Sequence, residues 1–310
     1  MMRSVRRRPG RPAAPWLGAL AVLTALATAC TTAASEPPLL ATGKKIRVGA
    51  KGDQPGTGYE PHDGEFEGFD ITMTREVLGK LGVDGDDVKF DGVLSKNRET
   101  SLQNGDFDLV AATYSITLNR TLPISEGGAG LDFVGPYAST LQGVLVQAAD
   151  KDRYRHVSDL DGRNVCVWEG TTSLAELSKP AYHLVKLTVL TDATACVNTL
   201  EEGNVDAVST DQLILYGFMG AHPKLTVAPG IAFGVPNEYG IAMYRTPAHR
   251  KECERLREAL KDYVTGNDWD HDFESNLPLV PPAARNEAKP TTTDIDALSC
   301  RERPGNAKTN

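Results

Sequence analysis

From Lys45 onward, short apolar runs alternate with stretches whose apolar positions recur every three or four residues. The runs predict strands at 46–50, 88–90, 107–112, 141–146, 164–167, 185–190, 205–209 and 241–244. The wider spacing predicts helices at 71–81, 98–104, 173–177, 193–202, 212–218 and 248–264. On the first of these, Met73, Val77, Leu78 and Leu81 share one face, and Gly105 and Gly203 sit where the second and fourth would stop. Strands alternating with helices predict an α/β fold with a largely parallel sheet. An ordered body of about 240 residues divides more naturally into two lobes than around one core. The stretch 286–310 is polar and Pro-containing, and is expected to be loosely attached.

The chain has 310 residues, of which 40% are hydrophobic, enough for well-buried cores. Its formal charge of −8 is unevenly spread, because five arginines and no acid lie in residues 1–29. Without those five, 28 basic residues face 41 acidic ones, a balance of −13. An acidic body argues against nucleic acid as a partner, since phosphate backbones need a basic surface.

The start of the chain reads as an export signal: arginines, an apolar run from Trp16 to Ala27, then small residues. Twelve residues are too few to cross a hydrocarbon layer of about 30 Å. Leu26-Ala27-Thr28-Ala29-Cys30 resembles the lipobox of bacterial lipoproteins, with Ala27 where a leucine is usual. Residues 1–29 are therefore expected to be a signal peptide and Cys30 the lipid-modified first residue, followed by a polar tether to residue 43. That would hold the protein on the outer face of the cytoplasmic membrane. The remaining cysteines, Cys166, Cys196, Cys253 and Cys300, are even in number, as bridges in an oxidising compartment require. They contain no C-x-x-C pair, so neither zinc nor thioredoxin-like chemistry is expected.

Gly68-Phe69-Asp70-Ile71, Ser115-Ile116-Thr117-Leu118-Asn119-Arg120, Gly170-Thr171-Thr172-Ser173 and Asp206-Ala207-Val208-Ser209-Thr210-Asp211 occur in that order. Together they resemble the family 3 extracellular solute-binding proteins, the polar amino-acid receptors of ABC importers, over roughly residues 45–280. Thr72 stands where that family's first motif has an acid, and Leu78 where it has a small residue. Residues 49–56 and Ser95-Lys96-Asn97-Arg98 are most similar to the glutamate/aspartate-binding branch, as is the placement of Cys166 and Cys196. These two cysteines are expected to pair. Cys253 with Cys300 then follows by elimination, although a free buried thiol would be ordinary on the apolar stripe that carries Cys253.

The resemblance implies a two-lobed type II periplasmic-binding-protein fold, each lobe a mostly parallel sheet flanked by helices. Lobe 1 would hold residues 44–140 and 237–285 and lobe 2 residues 141–236, with crossover strands near 141–146 and 235–241. It also implies a monomeric receptor that takes an amino acid between its lobes and presents it to a membrane permease served by an ATPase. No cofactor, metal or catalytic residue is expected.

The chemistry of such a ligand matches the residues. A free amino acid carries a carboxylate and an ammonium side by side, and stripping water from both is costly unless opposite charges replace it. Arg120 is the candidate carboxylate clamp, since a guanidinium offers two parallel donors. Thr113 and Ser115 would add hydroxyl and main-chain donors, though strand-end turn chemistry accounts for either equally well. Thr171 and Thr172 lie between a strand and a helix, where helix capping is compatible with ligand contact. Asp211 would accept the ammonium, in competition with a helix N-cap role. Resemblance places Lys51, Ser95 and Arg98 at an acidic side chain, against the alternative of solvated surface cations for Lys51 and Arg98. Two other classes share the fold: a sensor that presents its amino acid to a signalling receptor, and transglycosylase- or dehydratase-like enzymes with a pocket carboxylate. G-x-S-x-G, P-loop and H-E-x-x-H motifs are absent.

Overall fold

The computed structural model describes residues 38–40 and 43–303. The expected signal peptide, Cys30 and most of the tether lie outside the described residues. Among the described residues twelve strands run in chain order: β1 Ile46–Ala50, β2 Asp53–Gln54, β3 Gly58–His62, β4 Glu65–Glu67, β5 Val88–Gly92, β6 Leu109–Val110, β7 Leu131–Gln147, β8 Asn164–Trp168, β9 Lys186–Leu190, β10 Ala207–Asp211, β11 Leu225–Val227 and β12 Phe233–Tyr244. The helices are α1 Phe69–Lys80, α2 Arg98–Gln103, α3 Leu118–Thr121, α4 Thr172–Leu177, α5 Ala193–Glu201, α6 Gln212–Ala221, α7 Arg250–Thr265, α8 Asp268–Asn276, α9 Pro282–Ala288 and α10 Thr292–Leu298.

The main sheet has the order β5-β1-β6-β12-β7-β10-β8-β9, with β11 beside β7. Pairing is parallel at both outer ends and antiparallel around β7 and β12. These two long strands are the crossovers. The first part of β7 pairs with β12 from Tyr244 to Asn237, and its end pairs with β10. The register of β12 shifts between Phe233 and Asn237, where it passes from one lobe to the other. The central strands β8 and β10 are buried on both faces. In β8, Val165 and Val167 enter one core, while Cys166 and Trp168 enter another with α5 and α6.

Cys166 is bonded to Cys196, tying β8 to α5, and Cys253 is bonded to Cys300. The second bond corrects the expectation of a loosely attached tail. Thr291 and Asp294 form a reciprocal capping box that starts α10, whose Ile295 and Leu298 are buried. Ser299 Oγ then bonds both the N–H and the carbonyl of Gly135, at 3.0 and 2.9 Å, and Cys300 N–H donates to the Phe133 carbonyl at 2.8 Å. The described tail is thus docked on β7 and α7. Opening the Cys253–Cys300 bond, which closes a separation of 47 residues, is expected to lower stability by about 4 kcal/mol in the chain-entropy model. A Cys300→Ser variant should melt earlier and exchange its amides fastest over 282–300. Wild-type melting would contradict that role.

Candidate functional site

Several strand ends converge on one small, tightly closed polar cavity between the lobes. Seven expected site residues line it: Ser95, Arg98, Thr113 and Ser115 from lobe 1, and Thr171, Thr172 and Asp211 from lobe 2. Arg120 does not line it; its guanidinium lies behind the lining, bonded to the carbonyls of the lining residue Ser115 and of Gly170. Lys51 does not line it.

The two arginines are the electrostatic centre. Thr117 caps α3, and Arg120 in that short helix turns back over the Tyr114 ring, its Cζ 4.3 Å from the ring centre. The Arg98 Cζ lies 4.2 Å from the same ring, so one aromatic supports two cations. Arg120 Nη1 donates to the Ser115 carbonyl at 2.6 Å, and Arg98 Nη1 to the Ala112 carbonyl at 2.8 Å. Both Nη2 groups then donate to one neutral acceptor, the carbonyl of Gly170 in lobe 2, at 2.9 Å from Arg98 and 3.2 Å from Arg120. Burial and the neighbouring Arg120 push Arg98 down to about 10. Each terminal nitrogen carries two N–H groups, so Arg120 keeps one on each for an anion.

Gly170 itself must be glycine. Its φ is +75°, and a Cβ there would lie 2.5 Å from both Lys96 N and Lys96 Cα across the cleft. Beside it, Lys96 Nζ pairs with Glu169 at 2.6 Å, a second link between the lobes.

Thr113 follows β6 with φ +44°, a conformation that β-branched residues rarely adopt. Asp70 holds it there. Oδ2 of this carboxylate accepts the Thr113 N–H at 2.7 Å, and Oδ1 accepts the Tyr137 hydroxyl at 2.9 Å. Burial lifts Asp70 to about 7 against these two hydrogen bonds. The aspartate of the first motif is therefore a positioning group, a role that sequence reasoning did not assign.

On the other wall, Asp211 ends β10 and precedes α6 without capping it, since its side chain makes no cap hydrogen bond. Instead its Oδ1 accepts from Gln142 at 2.8 Å and Asn237 at 2.7 Å, and Oδ2 from Tyr239 at 2.7 Å. These three donors are neutral, so among the described residues no cation within hydrogen-bond reach offsets the carboxylate. Burial raises Asp211 to about 6, opposed by the bonds from Tyr239 and Asn237 and by the fields of Arg98 and Arg120. An ammonium would supply the missing counterion. Thr171 does act as a cap, accepting the Leu174 N–H at 3.2 Å, while the Thr172 hydroxyl accepts from Gln142 at 3.3 Å. Trp168 also lines the cavity and went unrecognised in the sequence. Its indole Nε1–H is buried and has no acceptor among the described residues, so it is a further spare donor.

The raised Asp211 sets an expected pH dependence. Its ordinary value of 3.8 rises to about 6 on folding, so the folded chain holds this proton between about pH 4 and 6. This group's contribution to stability therefore falls as pH rises through that window. An ammonium ligand reverses the preference by favouring the ionised form. Affinity for a zwitterion should be level above about pH 7 and fall up to tenfold per unit below about 6, as read by calorimetry. An Asp211→Asn variant with the same profile would show that another group is responsible.

Lys51 differs from expectation. Its ammonium is buried but paired with Asp53 at 3.0 Å and bonded to the Val93 carbonyl at 3.3 Å. It is neither a solvated surface cation nor a free cation at the cavity. Among the described residues no group of three or more His, Cys, Asp or Glu is placed to hold a metal, and no helix is long and apolar enough to cross a membrane.

Comparison with known proteins agrees with this architecture. The chain is 35% identical to the glutamate-binding protein GluB of Corynebacterium glutamicum over 209 residues, covering 65% of this chain and 68% of that one. It is 35% identical to GluB of Corynebacterium efficiens, covering 62% of this chain and 64% of that relative. It is 33% identical to the ABC transporter glutamine-binding protein GlnH of Bacillus subtilis, covering 64% and 69%. An ancestral arginine-binding protein bound to arginine superposes with a TM-score of 0.63 at 26% identity, over 75% of this chain and 97% of that one. The solute receptor for L-cysteine of Neisseria gonorrhoeae shares the fold, with a TM-score of 0.66 at 24% identity over 77% of this chain and 94% of that one. The model of the bacterial extracellular solute-binding proteins, family 3, matches residues 46–268, and the chain belongs to that family.

Proposed function

We propose that this protein binds an acidic amino acid, glutamate or aspartate, between its lobes without turnover, and delivers it to the membrane permease of an ABC importer. The observation that carries the proposal is the surplus of positive charge at Gly170, where two buried guanidiniums share one neutral carbonyl oxygen and the half-exposed Glu99 approaches only Arg120, at 3.8 Å. A ligand carboxylate at Arg120 and an ammonium at Asp211 would balance both walls. A second carboxylate would find Arg98 and the Ser95 hydroxyl, both on the cavity. The glutamate- and glutamine-binding names of the relatives support the ligand class.

Calorimetry of the mature protein against a panel of amino acids tests the assignment. Binding confined to basic or apolar amino acids would refute it. Arg98→Ala is expected to weaken glutamate at least tenfold more than glutamine, because only glutamate presents a second charge there. Equal losses for the two would remove Arg98 from side-chain recognition. Monomeric state, export and lipid attachment at Cys30 belong to the same proposal, the last two resting on the pattern of residues 1–30. Loss of palmitate labelling in Cys30→Ala checks the anchor.

A further inference from the structure

Lys51 directly follows β1 with only 1% of its surface exposed, and a buried ammonium needs an anion. The chain supplies one from two residues away. Asp53 Oδ1 lies 3.0 Å from Lys51 Nζ. Its other oxygen, Oδ2, leaves lobe 1 and accepts the main-chain N–H of Ala193 at 2.9 Å, the first residue of α5 in lobe 2. That helix has nine residues, and its third N–H is capped by Asp192. A buried cation from one lobe and a helix N-terminus from the other thus converge on one carboxylate. Both favour an anion, and this is the position from which Lys51 was expected to meet the ligand's second carboxylate. Neither Lys51 nor Asp53 lines the cavity, whereas the adjacent Gln54 does, as do Ser95 and Arg98.

We propose that Asp53 is a specificity-determining residue: a resident carboxylate that fills the anion position between Lys51 and α5, joins the lobes there, and leaves recognition of an acidic side chain to Arg98 and Ser95. The ligand class rests on the function proposed above, but the anion position does not, and the two can fail separately. Without Asp53, Lys51 and the Ala193 N–H become available to a carboxylate from outside.

Asp53→Ala provides two tests on the mature protein. In the first, melting is followed in sodium acetate and in sodium chloride at equal ionic strength. Acetate is expected to raise the melting temperature of Asp53→Ala by several degrees, because a small carboxylate refills the position. Wild type and the double variant Lys51→Met/Asp53→Ala should show no such shift. No acetate effect in Asp53→Ala overturns the anion position. In the second, calorimetry compares glutamate with glutamine. Asp53→Ala should raise the glutamate-to-glutamine affinity ratio at least tenfold, and the double variant should cancel the gain. An unchanged ratio overturns the specificity role. Should Asp53→Ala not fold, Asp53→Asn keeps an acceptor for Ala193 while dropping the charge, and the same rise in ratio is expected. If wild type binds no amino acid at all, the proposed function fails, while the acetate comparison still decides the fate of Asp53.

Discussion

Replacing Arg120 with alanine is expected to abolish measurable amino-acid binding, a loss of about 3–5 kcal/mol or roughly a hundredfold to several thousandfold in affinity. The size follows from burial. Arg120 is 8% exposed, and its guanidinium is held by the Ser115 carbonyl, the Gly170 carbonyl and the Tyr114 ring. A carboxylate brought against this wall would lose its water and be left with Arg98 alone, the cation proposed for the ligand's second carboxylate. Arg120→Lys should recover only part of the affinity, because an ammonium keeps the charge but not the paired donors. Calorimetry on variants shown to be folded decides the matter. Near wild-type affinity in Arg120→Ala would place the carboxylate clamp elsewhere.

The second large effect concerns closure rather than charge. Gly170→Ala should weaken every ligand by one to two decades, whatever its side chain. The added Cβ would meet the Lys96 N and Cα at 2.5 Å and the Ser95 carbonyl carbon at 2.7 Å. These are backbone atoms of the opposite lobe and cannot swing aside. The positive φ adds strain of about 1 kcal/mol. Since the carbonyl of this residue also bridges Arg98 and Arg120, holding the lobes apart removes both of these bonds at once. Small-angle scattering at saturating glutamate should report a larger radius of gyration than wild type. A compact, tight-binding Gly170→Ala would mean that the cleft closes along another path.

Much of this architecture was legible because it is local. The alternation of apolar runs with helical periodicity placed β1, α1, β8, β9 and α5 within a residue or two of their observed ends. The cavity lining was legible mainly where a strand end meets a motif, as at Ser115, Thr171 and Asp211. What escaped depends on contacts distant in sequence or hidden in unpromising composition. The segment 53–67 is rich in Gly, Pro and acids, yet forms the hairpins β2–β3 and β3–β4. The first half of β7 is broken by Gly135-Pro136 in sequence but pairs with β12 on both sides of it, at Leu131–Val134 and Ala138–Thr140, across a register shift between Tyr239 and Ile241. Asp70 gave no sign of supporting Thr113, 43 residues away, because nothing local records a buried carboxylate's donor. Resemblance alone placed Lys51 at the ligand, and nothing in the sequence marks its neighbour Asp53 as the anion that pairs with it. The C-terminal helices are short and polar, and only the capping box and the pair Ile295 and Leu298 could have revealed them.

The docking of the tail has a mirror image at the other end of the described chain. Leu40 N–H donates to Glu252 at 2.7 Å, and Cys300 is bonded to Cys253, so entry and exit meet on neighbouring residues of α7 in lobe 1. Anything joined to either end, whether a membrane attachment, an affinity handle or a sensor chip, will hold lobe 1 still. Lobe 2 then becomes the swinging jaw, and a dye pair meant to watch it move belongs with one partner on each side of Gly170, away from both ends.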